Sequence, residues 1–304
     1  MRFLAIGEAM VELSGAPEGA GLWRLGYAGD TLNTAWYARA LLPESWQVGY
    51  VTRLGTDSFS ARMQAFLTEN RIETTHITID PARSVGLYAI ELVEGERHFA
   101  YWRGQSAAKG LADDPDALAE ALGTGDALYF SGITLAILPP AGRAALLAAL
   151  QQARAAGKVT IFDPNIRPRL WDNADVMREV LMAAAPVSAI VMPSFDDEAA
   201  TFGDADLAAC AARWRDAGAG EVIVKNGGGT MLCVDDSGAR AVEVARIKPV
   251  DTTGAGDSFN GGYLAARLQG ADMVAAALAG HAVSTQVIGH RGALMPMAEV
   301  VAPA

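Results

Sequence analysis

The alternation of strand-like and helical segments is the feature that most restricts the fold of this chain. From Ala127 onward, short apolar runs alternate with longer segments in which apolar residues recur every three or four positions. Successive strand–helix units predict a mostly parallel sheet with helices packed on it. We predict strands at 127–132, 158–163, 189–194, 221–224, 230–234 and 239–247, and helices at 140–156, 173–184, 256–268 and 273–287. The last two helices are rich in Ala, and we expect them to cover one face of the sheet.

The first hundred residues begin with the same alternation and then depart from it. Strands are predicted at 2–6 and 47–52, and helices at 31–42 and 58–70, the second capped by Asp57. Two further strand-like runs, Val85–Val93 and Arg97–Trp102, surround Glu94-Gly95-Glu96 and predict a hairpin without an intervening helix. Segments 9–27 and 83–103 are therefore β-type insertions. We expect them to form a small β lid over a cleft in the α/β frame.

Composition and charge exclude several classes of protein. The chain has 304 residues, 51% of them hydrophobic, which is enough for one large α/β core. Lys and Arg total 24 against 35 Asp and Glu, and this net charge of -11 disfavours nucleic acid as a partner. No apolar run approaches the roughly 18 residues of a membrane span, so we expect a cytoplasmic protein without membrane contact. Cys210, Cys233 and four scattered histidines show no metal-ligand or disulfide spacing, and we interpret both cysteines as core residues.

The segment Asp251–Leu264 places three small residues before a long helix. Gly254, Ala255 and Gly256 would expose backbone N–H groups at the helix N-terminus, where these donors and the helix dipole attract phosphate or a developing anion. Asp257 follows in the first turn, and its carboxylate could accept a proton from an attacking hydroxyl group. An ordinary capped helix start would also explain these residues, and their neighbours decide between the two.

Two motifs far apart in the chain resemble the signatures of one family. The run D-T-T-G-A-G-D at 251–257 resembles the C-terminal signature of the ribokinase-like (PfkB) sugar kinases, and Gly26–Ala35 resembles their early glycine and Gly-Asp turn followed by Asn. The resemblance implies one domain over 1–304, a ribokinase-like three-layer α/β sandwich with a mostly parallel central sheet and a small β lid. The strings GEAMVEL, ERHFAYWRGQSAA and FDPNIRPRLW further resemble the 2-keto-3-deoxygluconate kinases of that family.

The resemblance also implies a reaction and a site. ATP with Mg²⁺ would phosphorylate 2-keto-3-deoxygluconate, a small sugar acid, to its 6-phosphate. The implied catalytic residues are the base Asp257 and the anion-holding Gly254, Ala255 and Gly256. The residues implied to bind the sugar acid are Gly29, Asp30, Asn33, Tyr88, Tyr101, Arg103, Arg167 and Asp257. The residues implied on the nucleotide side are Asn165, Arg167, Lys225, Gly227, Gly228, Gly229, Thr230, Gly254 and Gly256.

The chemistry of the arginines and of the predicted hairpin agrees with this site. A guanidinium group binds a carboxylate through two parallel N–H groups, which suits Arg103 and Arg167 for the carboxylate of a sugar acid. Side chains alternate along a strand, so Tyr101 and Arg103 share one face while Trp102 points the other way. We expect the first face to cover the substrate. Trp102 would pack against the lid of a partner, giving a homodimer or a higher homo-oligomer.

Three positions depart from the family pattern. Ser194-Phe195-Asp196-Asp197 stands where the family has N-x-x-E, and Asp197 is the matching acid and the candidate Mg²⁺ ligand. The loop at 226–230 reads N-G-G-G-T where G-A-K-G is common, although Lys225 precedes it. Ile166 stands where the 2-keto-3-deoxygluconate kinases often carry Tyr.

Other functions remain open from the sequence. A kinase of the same fold could act on a neutral sugar such as fructose or ribose, although Arg103 and Arg167 argue for an acid. A non-catalytic sugar-acid sensor is a more distant alternative, because it would not need Asp257 behind the anion-binding turn. A nucleotide-dependent oxidoreductase is disfavoured, since Gly7-Glu8-Ala9-Met10 follows the first strand where G-x-G-x-x-G would be expected.

Overall fold

The secondary structure alternates as the sequence predicts. The computed structural model describes residues 1–15, 21–93 and 96–302. The strands are β1 (Arg2–Ile6), β2 (Met10–Gly15), β3 (Trp23–Ala28), β4 (Gln47–Leu54), β5 (Ile72–Glu73), β6 (Ile77–Ile79), β7 (Gly86–Val93), β8 (Glu96–Trp102), β9 (Ala127–Ser131), β10 (Val159–Asp163), β11 (Ile190–Val191), β12 (Glu221–Val224), β13 (Met231–Asp235) and β14 (Gly238–Val242). The helices are α1 (Asp30–Leu41), α2 (Ser58–Glu69), α3 (Pro115–Gly123), α4 (Gly132–Ile137), α5 (Pro140–Ala155), α6 (Ala174–Ala183), α7 (Phe195–Phe202), α8 (Leu207–Asp216), α9 (Ala255–Leu268) and α10 (Met273–Ile288).

The central sheet is mostly parallel. Its strands follow the order β14-β13-β12-β11-β10-β9-β1-β4-β5, and β6 also pairs with β4. The pairs from β12 to β6 are parallel, whereas β13 and β14 add an antiparallel hairpin at one edge. Because parallel neighbours end at the same edge of a sheet, the residues that follow β1, β9, β10 and β12 are brought to one side of the molecule. The candidate site lies there.

Helices cover both faces of this sheet and form two cores. One core joins Phe3 and Tyr50 of the sheet to α1, α2, α9 and α10, with Tyr263 fully buried at its centre. The other joins Phe130 and Phe162 to α3, α4, α5, α6 and α8, with Trp214 fully buried. The molecule is therefore a three-layer sandwich, and the expectation that α9 and α10 cover one face is confirmed.

A second, separate sheet contains the strands predicted for the lid. We call β3-β2-β7-β8, in that order, the small sheet. β7 and β8 form the predicted antiparallel hairpin, and Tyr88 lies opposite both Glu12 of β2 and Tyr101 of β8. These three residues therefore share one face of the small sheet. Glu94, Gly95 and residues 16–20 of the predicted insertions lie outside the described residues.

Two expectations about elements need correction. The strand predicted at 239–247 is wrong beyond Val242, because β14 lies at the edge and pairs only with the five residues of β13. In the part of the chain that the structure describes, no strand therefore pairs with Val244 or Ile247. Helices α3, α4 and α7 were not predicted, although Asp114 and Pro115 form a clear start signal for α3, in which the Asp114 side chain accepts a hydrogen bond from the Ala117 N–H.

Both cysteines lie in the two cores. Cys210 and Cys233 are fully buried and free, which confirms their interpretation as core residues. Among the described residues, no helix has both the length and the apolarity that crossing a membrane requires.

Candidate active site

The turn before α9 has the geometry that an anion-binding loop requires. Gly254 adopts φ 75°, in the left-handed region that favours glycine, and a Cβ there would lie 2.9 Å from the carbonyl oxygen of Ala293. The Asp251 side chain braces the turn, accepting hydrogen bonds from the N–H groups of Thr253 at 3.0 Å and Gly292 at 2.8 Å. The helix therefore begins at Ala255, with its N-terminus directed at the space in front of Asp257.

The segment after α10 holds this turn against α1. The Tyr37 hydroxyl group donates to the Ala293 carbonyl at 2.6 Å and accepts from the Met295 N–H at 3.0 Å. The Trp36 indole N–H donates to the Met295 carbonyl at 2.7 Å. Residues 292–295 thus form a strap, defined by these contacts, across α1 and the glycine turn.

Asp257 is a partly accessible carboxyl group in a densely packed and acidic environment. Its Oδ2 accepts a hydrogen bond from the Asn33 side-chain amide at 2.8 Å. Desolvation by the surrounding protein, followed by the nearby Asp30 carboxyl group, raises the pKa of Asp257 to about 7, while the Asn33 hydrogen bond opposes the shift. A carboxyl group with this pKa exchanges a proton near neutral pH, as a general base for a hydroxyl group should.

Asp30, at the start of α1, and Asn165, which follows β10, come into contact. The Asn165 side-chain amide donates to Asp30 Oδ2 at 3.0 Å. Burial raises the pKa of Asp30, although hydrogen bonds from Ser131 and Asn165 oppose that shift. Asn165 has φ 34°, which is unusual for a residue with a side chain, and its N–H donates to Asp163 Oδ1 at 3.0 Å. A predicted sugar-binding residue and a predicted nucleotide-binding residue thus touch.

Gly29 stands where the chain before α1 passes over the end of β1. A Cβ at Gly29 would lie 2.3 Å from the backbone oxygen of Glu8, so only glycine allows this approach. Its φ of 167° is ordinary extended backbone. The close contact places Asp30 and Asn33, at the start of α1, next to the carboxyl end of the central sheet.

A buried polar network lies beneath the glycine turn. The Lys225 ammonium group donates to Asp163 Oδ2 at 3.0 Å and to Asn260 Oδ1 at 3.1 Å. The Asn260 amide donates to the same Asp163 oxygen at 2.5 Å and to the Tyr129 hydroxyl group at 3.0 Å. Lys225 was predicted on the nucleotide side, and the structure adds two partners that the sequence analysis did not single out, Asp163 and Asn260.

The small sheet meets the central sheet through two charged side chains. Arg103 forms an ion pair with Glu8, whose side chain is completely buried. The Tyr88 hydroxyl group bonds to the Glu12 carboxylate on the same face of the small sheet. Tyr101 stacks beside Tyr88 with ring centroids 5.7 Å apart, and 52% of its surface is exposed. The partner of Arg103 in this structure is therefore a protein carboxylate, while its Nε has no hydrogen-bond partner among the described residues.

Arg167 and Asp197 face each other beside the start of α7. Arg167 Nη1 lies 3.8 Å from Asp197 Oδ2, and both side chains are about half exposed. Burial raises the pKa of Asp197, and the Arg167 guanidinium group opposes the shift. Glu198, the next residue, is fully buried and binds Arg213 at 2.6 Å, so Asp197 is the accessible acid of this pair.

The glycine loop after β12 makes a tight turn beside α7. Gly227 and Gly228 have φ 53° and 85°, and the Gly229 N–H donates to the Asn226 carbonyl at 2.6 Å. A Cβ at Gly227 would lie 3.9 Å from Asp196 Oδ2, which places the loop next to the start of α7. At the end of the loop, the Thr230 hydroxyl group donates a hydrogen bond to the Glu243 carboxylate at 3.0 Å.

Comparison with known proteins identifies the family. Residues 2–299 match the model of the pfkB family of carbohydrate kinases. The chain belongs to this family. The family predicted from the two motifs is thereby confirmed, and this PfkB kinase places the turn, Asp257 and Lys225 at one end of its central sheet.

Individual relatives agree with that assignment. The chain is 42% identical over 301 residues to a 2-dehydro-3-deoxygluconokinase of Dickeya dadantii, covering 96% of both proteins. Among solved structures, it resembles a PfkB protein from Polaromonas with a TM-score of 0.83 and 27% identity, covering 95% of this chain and 96% of that one. A putative ribokinase II from E. coli, solved in complex with ATP and Mg²⁺, has a TM-score of 0.82 at 24% identity, covering 99% of this chain and 95% of that one.

Several buried polar residues around the candidate site of this PfkB kinase escaped the sequence analysis. Glu8, Asp163 and Asn260 are buried polar residues, with 2%, 3% and 0% of their surfaces exposed. A signal was available in the sequence. Glu8 follows the apolar strand β1 and Asp163 ends the apolar strand β10, and a charged residue buried at such a place needs a partner. Asn260 lies one turn after Asp257 on the same helix face, which also places it toward the site.

Proposed function

We propose that the protein transfers the γ-phosphoryl group of ATP to the 6-hydroxyl group of 2-keto-3-deoxygluconate, also called 2-dehydro-3-deoxygluconate. The observation that carries this proposal is the Asp257 carboxyl group directly behind the left-handed Gly254 turn at the start of α9. The 42% identity to a 2-dehydro-3-deoxygluconokinase over nearly the whole chain supports the choice of substrate. A cytoplasmic location, where ATP is available, forms part of the same proposal.

The residues of the turn divide the reaction between them. The 6-oxygen of the sugar forms a bond to the γ-phosphorus while the bond from that phosphorus to the bridging oxygen breaks, and its electron pair leaves with ADP. Asp257 accepts the proton of the hydroxyl group; because the transition state is loose, the transfer needs positioning more than a strong base. The backbone N–H groups at Gly254, Ala255 and Gly256 face the charge that develops on the transferred group, an effect worth about 10²–10³ in rate per donor at comparable sites.

The nucleotide side offers groups that suit MgATP. Lys225 and Arg167 supply positive charge, while Gly227 and Gly228 allow the backbone to approach a phosphate closely. The half-exposed Asp197 carboxylate is the kind of oxygen ligand that Mg²⁺ prefers, directly or through water. Mg²⁺, when bound, neutralises part of the phosphate charge.

The sugar acid would lie between the start of α1 and the small sheet. Asp30 and Asn33 offer groups for its hydroxyls, and Tyr88 and Tyr101 cover it from the small sheet. Arg103 and Arg167 are the proposed partners of its carboxylate. Arg103 already binds Glu8 through Nη2, and its guanidinium group carries further N–H donors for a second carboxylate.

The edge strand β8 of the small sheet suggests how the molecule assembles. Phe99, Tyr101 and Trp102 of β8 expose 45%, 52% and 61% of their surfaces on an edge strand. Apolar edge strands are usually covered in native proteins, and a second copy of the chain does so symmetrically. A homodimer joined through the small sheets is therefore part of the proposal.

A coupled ADP-release assay tests the substrate. The purified protein with MgATP should release ADP with 2-keto-3-deoxygluconate and much more slowly with fructose or ribose, and ³¹P NMR should show the 6-phosphate. The Asp257→Asn variant, purified in parallel, excludes a contaminating kinase and should lose at least about 10² in turnover. Faster turnover of fructose or ribose would reject the sugar acid and favour a neutral-sugar kinase.

A further inference from the structure

The ammonium group of Lys225 is held in place by two side chains from different parts of the fold. Lys225 follows β12, Asp163 ends β10 and Asn260 lies in α9. Only 8%, 3% and 0% of their respective surfaces are exposed. Asp163 Oδ2 accepts from both Lys225 and Asn260, so the three polar groups form a closed triangle of hydrogen bonds at 3.0, 3.1 and 2.5 Å.

The position of this ammonium group points to the glycine turn. An ammonium group has three N–H donors, and Asp163 and Asn260 take two of them. A Cβ built on Gly256 would lie 3.9 Å from Lys225 Nζ, so the charge lies directly beneath the first turn of α9. Among the described residues no third partner of the Lys225 ammonium group is found, so the third donor is available on the side of the glycine turn.

A lysine side chain does not hold such a position without help. It is flexible, and in the interior its charge needs a counter-ion. Asp163 supplies the counter-charge, while Asn260 fixes the direction by accepting from Lys225 and donating to Asp163. Asn260 is in turn fixed by the Tyr129 hydroxyl group at 3.0 Å.

We infer that Asp163 and Asn260 are positioning residues that fix the Lys225 ammonium group beneath the glycine turn, where it binds an oxygen of the phosphoryl group in transfer. This inference rests on the proposed function, which places Lys225 on the nucleotide side. It adds a full positive charge to the backbone donors of the turn, at a fixed point and partly shielded from water. The charge therefore acts most strongly on the transition state, where negative charge on the transferred group must be held.

A double-mutant cycle between Asn260→Leu and Lys225→Met tests the inference. Lys225→Met should lower kcat about 10²-fold, as the loss of one preorganised donor does. Asn260→Leu should lower kcat about 10-fold or more, since misplacement of a reacting group by about 1 Å is enough for that. Because Asn260 acts through Lys225, the double variant should be no slower than Lys225→Met within about 3-fold. The KM for ATP should change by less than about 3-fold in each variant.

Controls separate positioning from stability. Ser188→Ala removes a buried hydroxyl group outside this network, which donates to the Ala184 carbonyl at 2.7 Å, and it should lower the thermal midpoint while kcat stays within about 3-fold. If Asn260→Leu does not fold, Asp163→Asn takes its place. That variant leaves a buried ammonium group without its counter-ion, so its thermal midpoint should fall. Adding Lys225→Met to it should restore the midpoint but not kcat.

The outcomes distinguish the positioning role of Asp163 and Asn260 from the proposed kinase function. If the losses of kcat caused by Lys225→Met and Asn260→Leu multiply in the double variant, the positioning role is overturned and the kinase function stays intact. A higher KM for ATP with unchanged kcat would also overturn it, because Lys225 would then serve ground-state binding alone. Wild-type turnover in Lys225→Met would overturn both the positioning role and the placement of Lys225, whereas the proposed substrate fails only if wild-type protein does not phosphorylate the sugar acid.

Discussion

Changing Asp257 to Asn should reduce activity and increase stability, and the gain in stability should grow with pH. Desolvation and the Asp30 carboxyl group raise the pKa of Asp257 from 3.8 to about 7. A carboxyl group with a higher pKa in the folded than in the unfolded state stabilises the fold below the unfolded pKa, and this stabilisation is lost as pH rises towards 7. Ionisation of Asp257 therefore destabilises the folded protein at neutral pH. Asn cannot ionise and avoids that cost.

The size of the effect follows from the same values. Of the roughly 3 pH units between 3.8 and 7, about 2 lie above pH 5. At 1.36 kcal/mol per unit, Asp257→Asn should gain up to about 3 kcal/mol over the wild type between pH 5 and pH 8. This is an upper limit, because the carboxyl group keeps some contact with solvent. Denaturant unfolding of both proteins at about pH 5 and pH 8 measures the difference.

The pH dependence of kcat/KM provides a second measurement on the same group. Below pH 7, kcat/KM should fall about tenfold per pH unit as Asp257 becomes protonated. Asn33→Ala removes the hydrogen bond that lowers this pKa, so its profile should shift to higher pH, while ionisation of the nucleotide affects both proteins alike. A flat profile between about pH 5.5 and pH 8, or an Asp257→Asn variant whose stability relative to the wild type does not change with pH, would refute the reasoning.

Three further predictions follow from the lid contacts and the glycine turn. Arg103→Gln alone should destabilise the fold by about 3–5 kcal/mol, because it leaves Glu8 buried without a counter-ion; with Glu8→Gln added, stability should return. The double variant should retain a selective loss of about 10- to 150-fold in kcat/KM for the sugar acid over fructose, and equal losses on both sugars would contradict the carboxylate site. Light scattering at micromolar concentration should show a dimer that Trp102→Glu weakens, and a monomeric wild type would contradict assembly through the small sheet. Gly254→Ala should lower both the thermal midpoint and kcat, because its φ is 75° and a Cβ would meet a neighbouring carbonyl group. Gly270→Ala, with φ 100° and open space around it, should lower the midpoint alone, and a matching loss of kcat there would contradict the role of the turn.

The fold was predictable where local pattern and tertiary structure agree. The strands β1, β9, β10 and β12 are short apolar runs that are buried on both faces, and the helices between them repeat apolar residues every three or four positions. Pattern failed where an element depends on its neighbours. Nothing in the residues after Val242 shows that β13 begins only at Met231, opposite Val242, so that the residues after Val242 lack a partner strand.

The site was predictable in its backbone and less so in its side-chain partners. The Gly254 turn and Asp257 follow from small residues before a helix, which is a local property. The contact of Lys225 with Asp163 depends on strand order, because β11 lies between the strands that carry them. Arg103 shows the same limit. Sequence reasoning assigned Arg103 to the substrate. The structure adds an ion pair with Glu8, which follows β1 of the central sheet.

The strap at 292–295 has a consequence for the newborn chain. Its contacts with Tyr37, Trp36 and the Asp251 side chain complete the support of the glycine turn. During synthesis, the ribosome makes β1 to β12 and their helices before either α9 or the strap exists, and it adds only about 5–20 residues per second. A nascent chain can therefore gain most of its sheet while its glycine turn is still unsupported. At the proposed site, phosphoryl transfer should begin only after residues 292–295 have left the ribosomal exit tunnel and packed against α1.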